Sequence, residues 1–213
     1  MEKQIIKFEH NYYKLRVKNP MAFSIIPAKD FMTINWSGGT STQLYIYPET
    51  AKYELRNFDF RLSTAKVEIE QSDFTSLPGV SRKIMILDGQ IEISHKNHYN
   101  KKLNEFDVDA FEGDWQTSSI GLCTDFNLMT KGKTKGELSS LSILQGQTTD
   151  YPIPPMHSKV FIYLYTGKVS FNLEQSDHIL NQGELLVLDN LINCKLKFTA
   201  QEDSRLIISE ISL

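Results

Sequence analysis

Ile84-Met85-Ile86-Leu87-Asp88-Gly89-Gln90-Ile91-Glu92-Ile93 sets apolar residues on both sides of an Asp-Gly pair. An Asp-Gly pair flanked in this way signals a β-hairpin, because glycine readily takes the positive φ of a tight turn. Outward from this hairpin the same period of two recurs at residues 42–47, closed by Pro48, and at 60–69, 117–129, 160–171, 184–188, 195–198 and 206–211. No segment keeps a 3.6-residue apolar stripe through three turns, so the expected fold is all-β with little helix.

Sliding the chain over itself by 78 positions places Gly89 on Gly167. Ile84, Ile86, Ile91 and Ile93 then meet Ile162, Leu164, Val169 and Phe171, the same inward pattern about one glycine turn. A Gly-acidic turn follows each copy: Gly113-Asp114 after the first, and Asn181-Gln182-Gly183-Glu184 after the second. Strand, glycine turn, strand, Gly-acidic turn and strand is the order of a cupin barrel. Two units predict a bicupin of two jelly-roll barrels packed as one compact unit, at residues 1–135 and 136–213, joined near the Gly- and Lys-rich stretch 131–140.

Composition narrows the function classes. The 213 residues are 40% hydrophobic and 23% charged, which suits a chain with a sizeable core and excludes disordered and collagen-like classes. The net charge of −3 comes with no clustered basic face, so no nucleic-acid partner is expected. The short run Lys131 to Lys135 reads as a solvated loop. No window approaches the roughly 18 continuous apolar residues of a spanning helix, so no membrane partner is expected either. Met1-Glu2-Lys3-Gln4 lacks a signal-peptide layout, and Cys123 and Cys194 are too few for a disulfide framework, which together point to the cytoplasm.

Six motifs follow one another along the chain: Trp36-Ser37-Gly38-Gly39-Thr40-Ser41-Thr42, Phe60-Arg61-Leu62-Ser63-Thr64-Ala65, Phe74-Thr75-Ser76-Leu77-Pro78-Gly79-Val80-Ser81-Arg82, Leu87-Asp88-Gly89, Phe111-Glu112-Gly113-Asp114 and Asp125-Phe126-Asn127-Leu128-Met129. In this order they resemble the motifs of the HutD/Ves family of bicupin proteins. The chain departs from the usual pattern in a shorter glycine turn and in Gln43-Leu44, where Arg-Glu is common. The resemblance implies a bicupin fold and a regulatory association with histidine catabolism or stress.

Alternation along residues 61–69 puts Arg61, Ser63, Ala65, Val67 and Ile69 on one face and Leu62, Thr64, Lys66, Glu68 and Glu70 on the other. The second face is charged, so it is expected to be wet and Arg61 to point inward. On the strand 123–129, Cys123, Asp125, Asn127 and Met129 share a face. Two readings follow. In one, Arg61 and Asp125 form an internal ion pair that only holds the barrel in register. In the other, Arg61 grips a small carboxylate ligand bidentately while Ser63, Thr42 and Asn127 orient it. Trp36 beside Gly38-Gly39 supplies an apolar wall, or else caps a barrel end; Arg82 either joins the pocket or faces solvent from a loop.

The histidines are His10, His95, His98, His157 and His178. His95 and His98 belong to a hairpin tip, and His157 alone falls at a cupin metal position, without the neighbouring His and Glu. Neither a metal nor another cofactor is therefore expected. There is no G-x-S-x-G elbow, phosphate loop or dinucleotide fingerprint, and no convincing catalytic group. The expected function is a small-molecule-binding protein that senses or buffers a carboxylate metabolite. The alternative is a metal-free lyase or isomerase acting on a small acid through Arg61, Asp125 and His157. A homodimer fits the pattern, since edge strands of such barrels often pair between subunits.

Overall fold

The computed structural model of the chain describes residues 22–152, 159–173, 176–189 and 195–213. In the N-terminal half the strands are β1 (Ala22–Ile26), β2 (Met32–Trp36), β3 (Gly39–Tyr47), β4 (Phe60–Val67), β5 (Gln71–Asp73), β6 (Val80–Gly89), β7 (Ile91–His95), β8 (Tyr99–Leu103), β9 (Val108–Glu112), β10 (Thr117–Ile120) and β11 (Cys123–Lys131). The C-terminal half adds β12 (Lys135–Ile143), β13 (Thr148–Pro152), β14 (Lys159–Thr166), β15 (Lys168–Leu173), β16 (Ser176–Asn181), β17 (Leu185–Asp189), β18 (Lys195–Ala200) and β19 (Ser204–Ser212). The only helices among the described residues are 3-10 turns at Ala28–Asp30 and Tyr53–Leu55. The fold is all-β, as the period of two dictates.

Two sheets make each half. The first half pairs the order β2-β3-β4-β11-β6-β9 with β5-β10-β7-β8; the second pairs β1-β17-β14-β19-β12 with β13-β18-β15-β16. β1 therefore crosses a division at residue 135: it hydrogen-bonds to β17 in the C-terminal sheet, Ala22 opposite Asp189 and Ile26 opposite Leu185. Strand pairing, which no local period encodes, moves this segment to the second half.

The repeat is visible in backbone detail. A Cβ on Gly89 would lie 2.4 Å from Leu122 O, and one on Gly167 2.4 Å from Asp203 O, so each hairpin glycine lies against the turn entering β11 or β19. The partner of the Asn181 turn is Asn104-Glu105-Phe106-Asp107, not Gly113-Asp114. Asn104 N–H donates to Asp107 Oδ2 and Asn181 N–H to Glu184 Oε2, at 2.9 and 2.8 Å. Phe106 N–H reaches Ile86 O and Gly183 N–H reaches Leu164 O, both at 2.7 Å. Gly113 instead clamps the Leu77–Val80 turn, its carbonyl accepting from Leu77 N–H and its N–H donating to Val80 O.

Two further expectations change. The run 117–129 is two strands, broken at Gly121-Leu122, where Gly121 (φ 117) turns the chain from one sheet into the other. The expected wet face of β4 is wet only toward Lys66 and Glu68. Phe60 and Leu62 are fully buried in a cluster with Phe126 and Leu128 of β11 and with Phe161, Leu185, Val187, Ile207 and Ile211 of the second half. This apolar seam joins the halves, and both faces of β4 are buried along its first four residues. The second half encloses its own apolar core around Ile162, Leu164, Phe171, Leu186 and Phe198.

Candidate functional site

A cavity of about 240 Å³ opens in the first half, walled by Ile34, Trp36 and Ser41, by inward residues of β4 and β11, by Arg82 of β6, and by Tyr53 and residues 72–75. Register stacks its floor in levels across β4, β11 and β6. Arg61, Met129 and Arg82 share one level, Ser63, Asn127 and Ile84 the next, and Ala65, Asp125 and Ile86 the third. The alternation seen in the sequence thus delivers two guanidiniums, a carboxyl and an amide to one enclosed space.

Arg61 points inward but does not pair with Asp125. Its Nε donates to Gln43 Oε1 at 3.0 Å, its Nη1 donates to Ser63 Oγ at 2.8 Å, and the guanidinium stacks 4.4 Å from the Tyr53 ring centre. Two of its five N–H groups are thereby used. Burial lowers its pKa, opposed by Tyr53 and Glu54. No carboxylate among the described residues lies within ion-pair distance of Arg61 or Arg82.

Arg82 belongs to β6 and is 6% exposed, so it is not the solvent-facing loop residue that the sequence allowed. The guanidinium lies between the rings of Phe74 and Phe111, at 5.0 and 5.2 Å from their centres. No protein acceptor meets its Nε among the described residues. Burial pushes its pKa down to about 10, opposed by Asp125. A buried guanidinium with unmet donors is costly unless something else accepts from it.

Asp125, beside Ala65 and Ile86, is buried with Oδ1 unpaired among the described residues. Burial pushes its pKa up to about 7, and the field of Arg82 works against that rise. Asn127 Oδ1 is likewise buried and unpaired. Native proteins leave few such atoms without a partner, and here three surround one cavity. Cys123, a free buried thiol, is pushed up to about 12 by burial first and Asp125 second.

Trp36 and Ile34 form the rim, 37% and 50% exposed. A Cβ on Gly38 would sit 2.1 Å from the Trp36 ring, so glycine lets the indole fold back over the mouth. Thr42 is not in the cavity. It lies on the opposite face of β3, its hydroxyl 2.8 Å from that of Thr33, while Ser41 and Gln43 take the inward positions. Sequence reasoning missed Ser41, Gln43, Tyr53 and Phe74. Gln43 had a signal in its departure from the usual Arg, but its inward direction depends on pairing with Ser63.

His95 stands at the tip of the β7–β8 hairpin, as expected, and is buried there. Its Nε2 lies 2.8 Å from Asp109 Oδ2 and its Nδ1 2.8 Å from Thr117 Oγ1, all three buried. Tyr99 OH also donates to Asp109. The cluster satisfies its own polar atoms and has no place among the cavity walls. His98 stacks on Trp115 at 3.7 Å between ring centres. His157 lies outside the described residues. Among the described residues no three His, Cys, Asp or Glu side chains come together to hold a metal ion, and the cavity itself offers only Asp73 and Asp125 as metal-ligating carboxylates. No helix among them is long and apolar enough to cross a membrane.

Several solved structures share this architecture. A conserved protein of unknown function from Pseudomonas aeruginosa has a similar fold, with a TM-score of 0.78 at 21% identity over 90% of this chain and 100% of that one. HutD from Pseudomonas fluorescens, in a structure described as a formate condition, gives 0.69 at 22% over 90% and 98%. The bacterial pirin YhhW from Escherichia coli, in complex with nickel(II), gives 0.68 at 10% over 89% and 98%. These likenesses establish a cupin-type fold. No curated protein matches the chain. The HutD family model matches residues 28–208, nearly the whole described fold, and the chain belongs to the HutD family.

Proposed function

We propose that the first-half cavity binds a small carboxylate metabolite and that the protein senses or buffers it, in a cytoplasmic regulatory role tied to amino-acid catabolism or stress. The observation that carries this reading is the pair of buried guanidiniums without a carboxylate partner among the described residues, one with its Nε wholly unmet. A structural arginine pair would be expected to hold its own counter-ions, since unpaired buried charge is costly. A bound carboxylate accepts from Arg82 and from the free edge of Arg61, which Gln43, Ser63 and Tyr53 hold in orientation. The volume of about 240 Å³ suits a compact acid with a flat portion against Trp36.

The test is isothermal titration of the purified protein with formate, acetate, urocanate and formylglutamate between pH 6 and 8. Saturable binding of at least one acid is expected. Arg61→Lys should weaken it at least tenfold, because an ammonium cannot copy a planar two-point contact. No binding of any of these acids would overturn the reading.

A second reading has one specific support. A carboxyl poised near pH 7 inside a cavity suits a general acid or base, which would make the protein a metal-free lyase or isomerase of a small acid. Proton NMR in D2O decides it: exchange or conversion of an added acid that stops in Asp125→Asn supports the enzyme, and an unchanged spectrum rejects it.

A further inference from the structure

Resting on the carboxylate-binding reading, we infer that the cavity takes its acid together with one proton from solvent, held between the bound carboxylate and Asp125. The unmet atoms of the cavity point to it. A carboxylate only accepts hydrogen bonds. Arg82 Nε answers it as a donor, but Asp125 Oδ1 and Asn127 Oδ1 are also acceptors. Asn127 can present its NH2 by turning its amide over, since the two orientations differ only in which end carries the nitrogen. Asp125 has no such option. Facing a second carboxylate while ionised, it would add like charge and another unmet acceptor; protonated, it donates.

The other charged and titratable groups around Asp125 do not supply that proton. Asp125 shares its level with Ala65 on β4 and Ile86 on β6, both apolar. The charged groups around it are Arg61 on β4, already engaged with Gln43 and Ser63, and Arg82 on β6. Asp73 of β5 and the Tyr53 hydroxyl belong to the remaining walls, and the Cys123 thiol lies on its own strand. In the facing sheet, His95 is committed to Asp109 and Thr117. Burial pushes the Asp125 carboxyl up to about 7, so near neutral pH both forms are present and an incoming anion shifts the balance toward the protonated one.

The pH dependence has a definite sign. Below about pH 7 the proton is already in place and affinity is flat; above it, each bound acid must bring a proton, and affinity falls about tenfold per pH unit. Isothermal titration with formate and acetate, at pH 6 and pH 8 in buffers of different ionisation heat, reads this directly. The expected result is close to one proton taken up per acid at pH 8, a small fraction at pH 6, and binding about tenfold weaker at pH 8. Asp125→Asn should bind with equal affinity at both pH values and without proton uptake. Difference infrared spectra of the wild type with 13C-formate at pH 8 give a variant-independent check, through growth of a protonated-carboxyl band from the protein. Binding with no proton uptake and no change between pH 6 and 8 would overturn the inference while leaving carboxylate binding intact. No binding at either pH would overturn the carboxylate reading, and this inference with it.

Discussion

Asp125 should make the folded protein lose stability as pH rises toward neutrality, and Asp125→Asn should abolish that loss. The carboxyl moves from its ordinary 3.8 up to about 7 on folding, through burial that Arg82 only partly offsets. Its folded-state pKa is raised, so between those values the native state holds a proton that the unfolded chain has released. Stability therefore falls with increasing pH across that window. One pKa unit is worth about 1.4 kcal/mol, so the step from pH 5 to pH 8 costs the wild type about 3 kcal/mol through this group. For a chain of this size each kcal/mol moves the melting temperature by about 2–4 °C, giving a differential of about 6–12 °C. Melting curves of wild type and Asp125→Asn at half-unit steps from pH 5 to 8 measure it. The melting temperature of the wild type should fall relative to that of the variant by this amount between pH 5 and pH 8. Parallel curves across the whole range would refute the claim that burial has raised this carboxyl.

Two other outcomes test the fold. Gly89→Ala and Gly167→Ala each press a methyl to 2.4 Å from a backbone oxygen at positive φ, whereas Gly79→Ala at φ 75 meets open space. Chemical denaturation should show the first two losing about 3 kcal/mol or more and the third about 1 kcal/mol; equal losses would contradict the close approach. Leu62→Ala empties part of the seam between the halves and should cost about 3 kcal/mol. Calorimetry should show one lowered transition for the whole molecule, and two separated transitions would mean that the seam does not couple the halves.

The site is partly legible in the sequence. Alternation on two strands puts Arg61 inward and gathers Cys123, Asp125, Asn127 and Met129 on one face, because strand side chains alternate whatever the partner strand is. The opposite face of β4 is less uniform than its charges suggest, since Lys66 and Glu68 are wet but Phe60 and Leu62 meet Phe161 across the seam. Thr42 turns away from the cavity because its direction depends on the offset between β3 and β4, which the register irregularity between Gln43 and Tyr45 also alters.

The all-β architecture, the duplicated hairpin, the glycine turns and the membership of the HutD family are properties of the sequence itself. The strands and turns rest on residues within a few positions of one another, where φ preference and side-chain alternation act directly, and the duplication and the family motifs are series of such local patterns. Only the tertiary structure decided that Arg82, not Arg61, is the guanidinium whose field bears on Asp125, that Gln43 and Ser63 engage Arg61, and that β1 joins the second half. These depend on which strands become neighbours and in what register. Hydrophobic burial across the whole chain settles that order, so residues 43 and 61, or 82 and 125, meet for reasons that neither local segment contains.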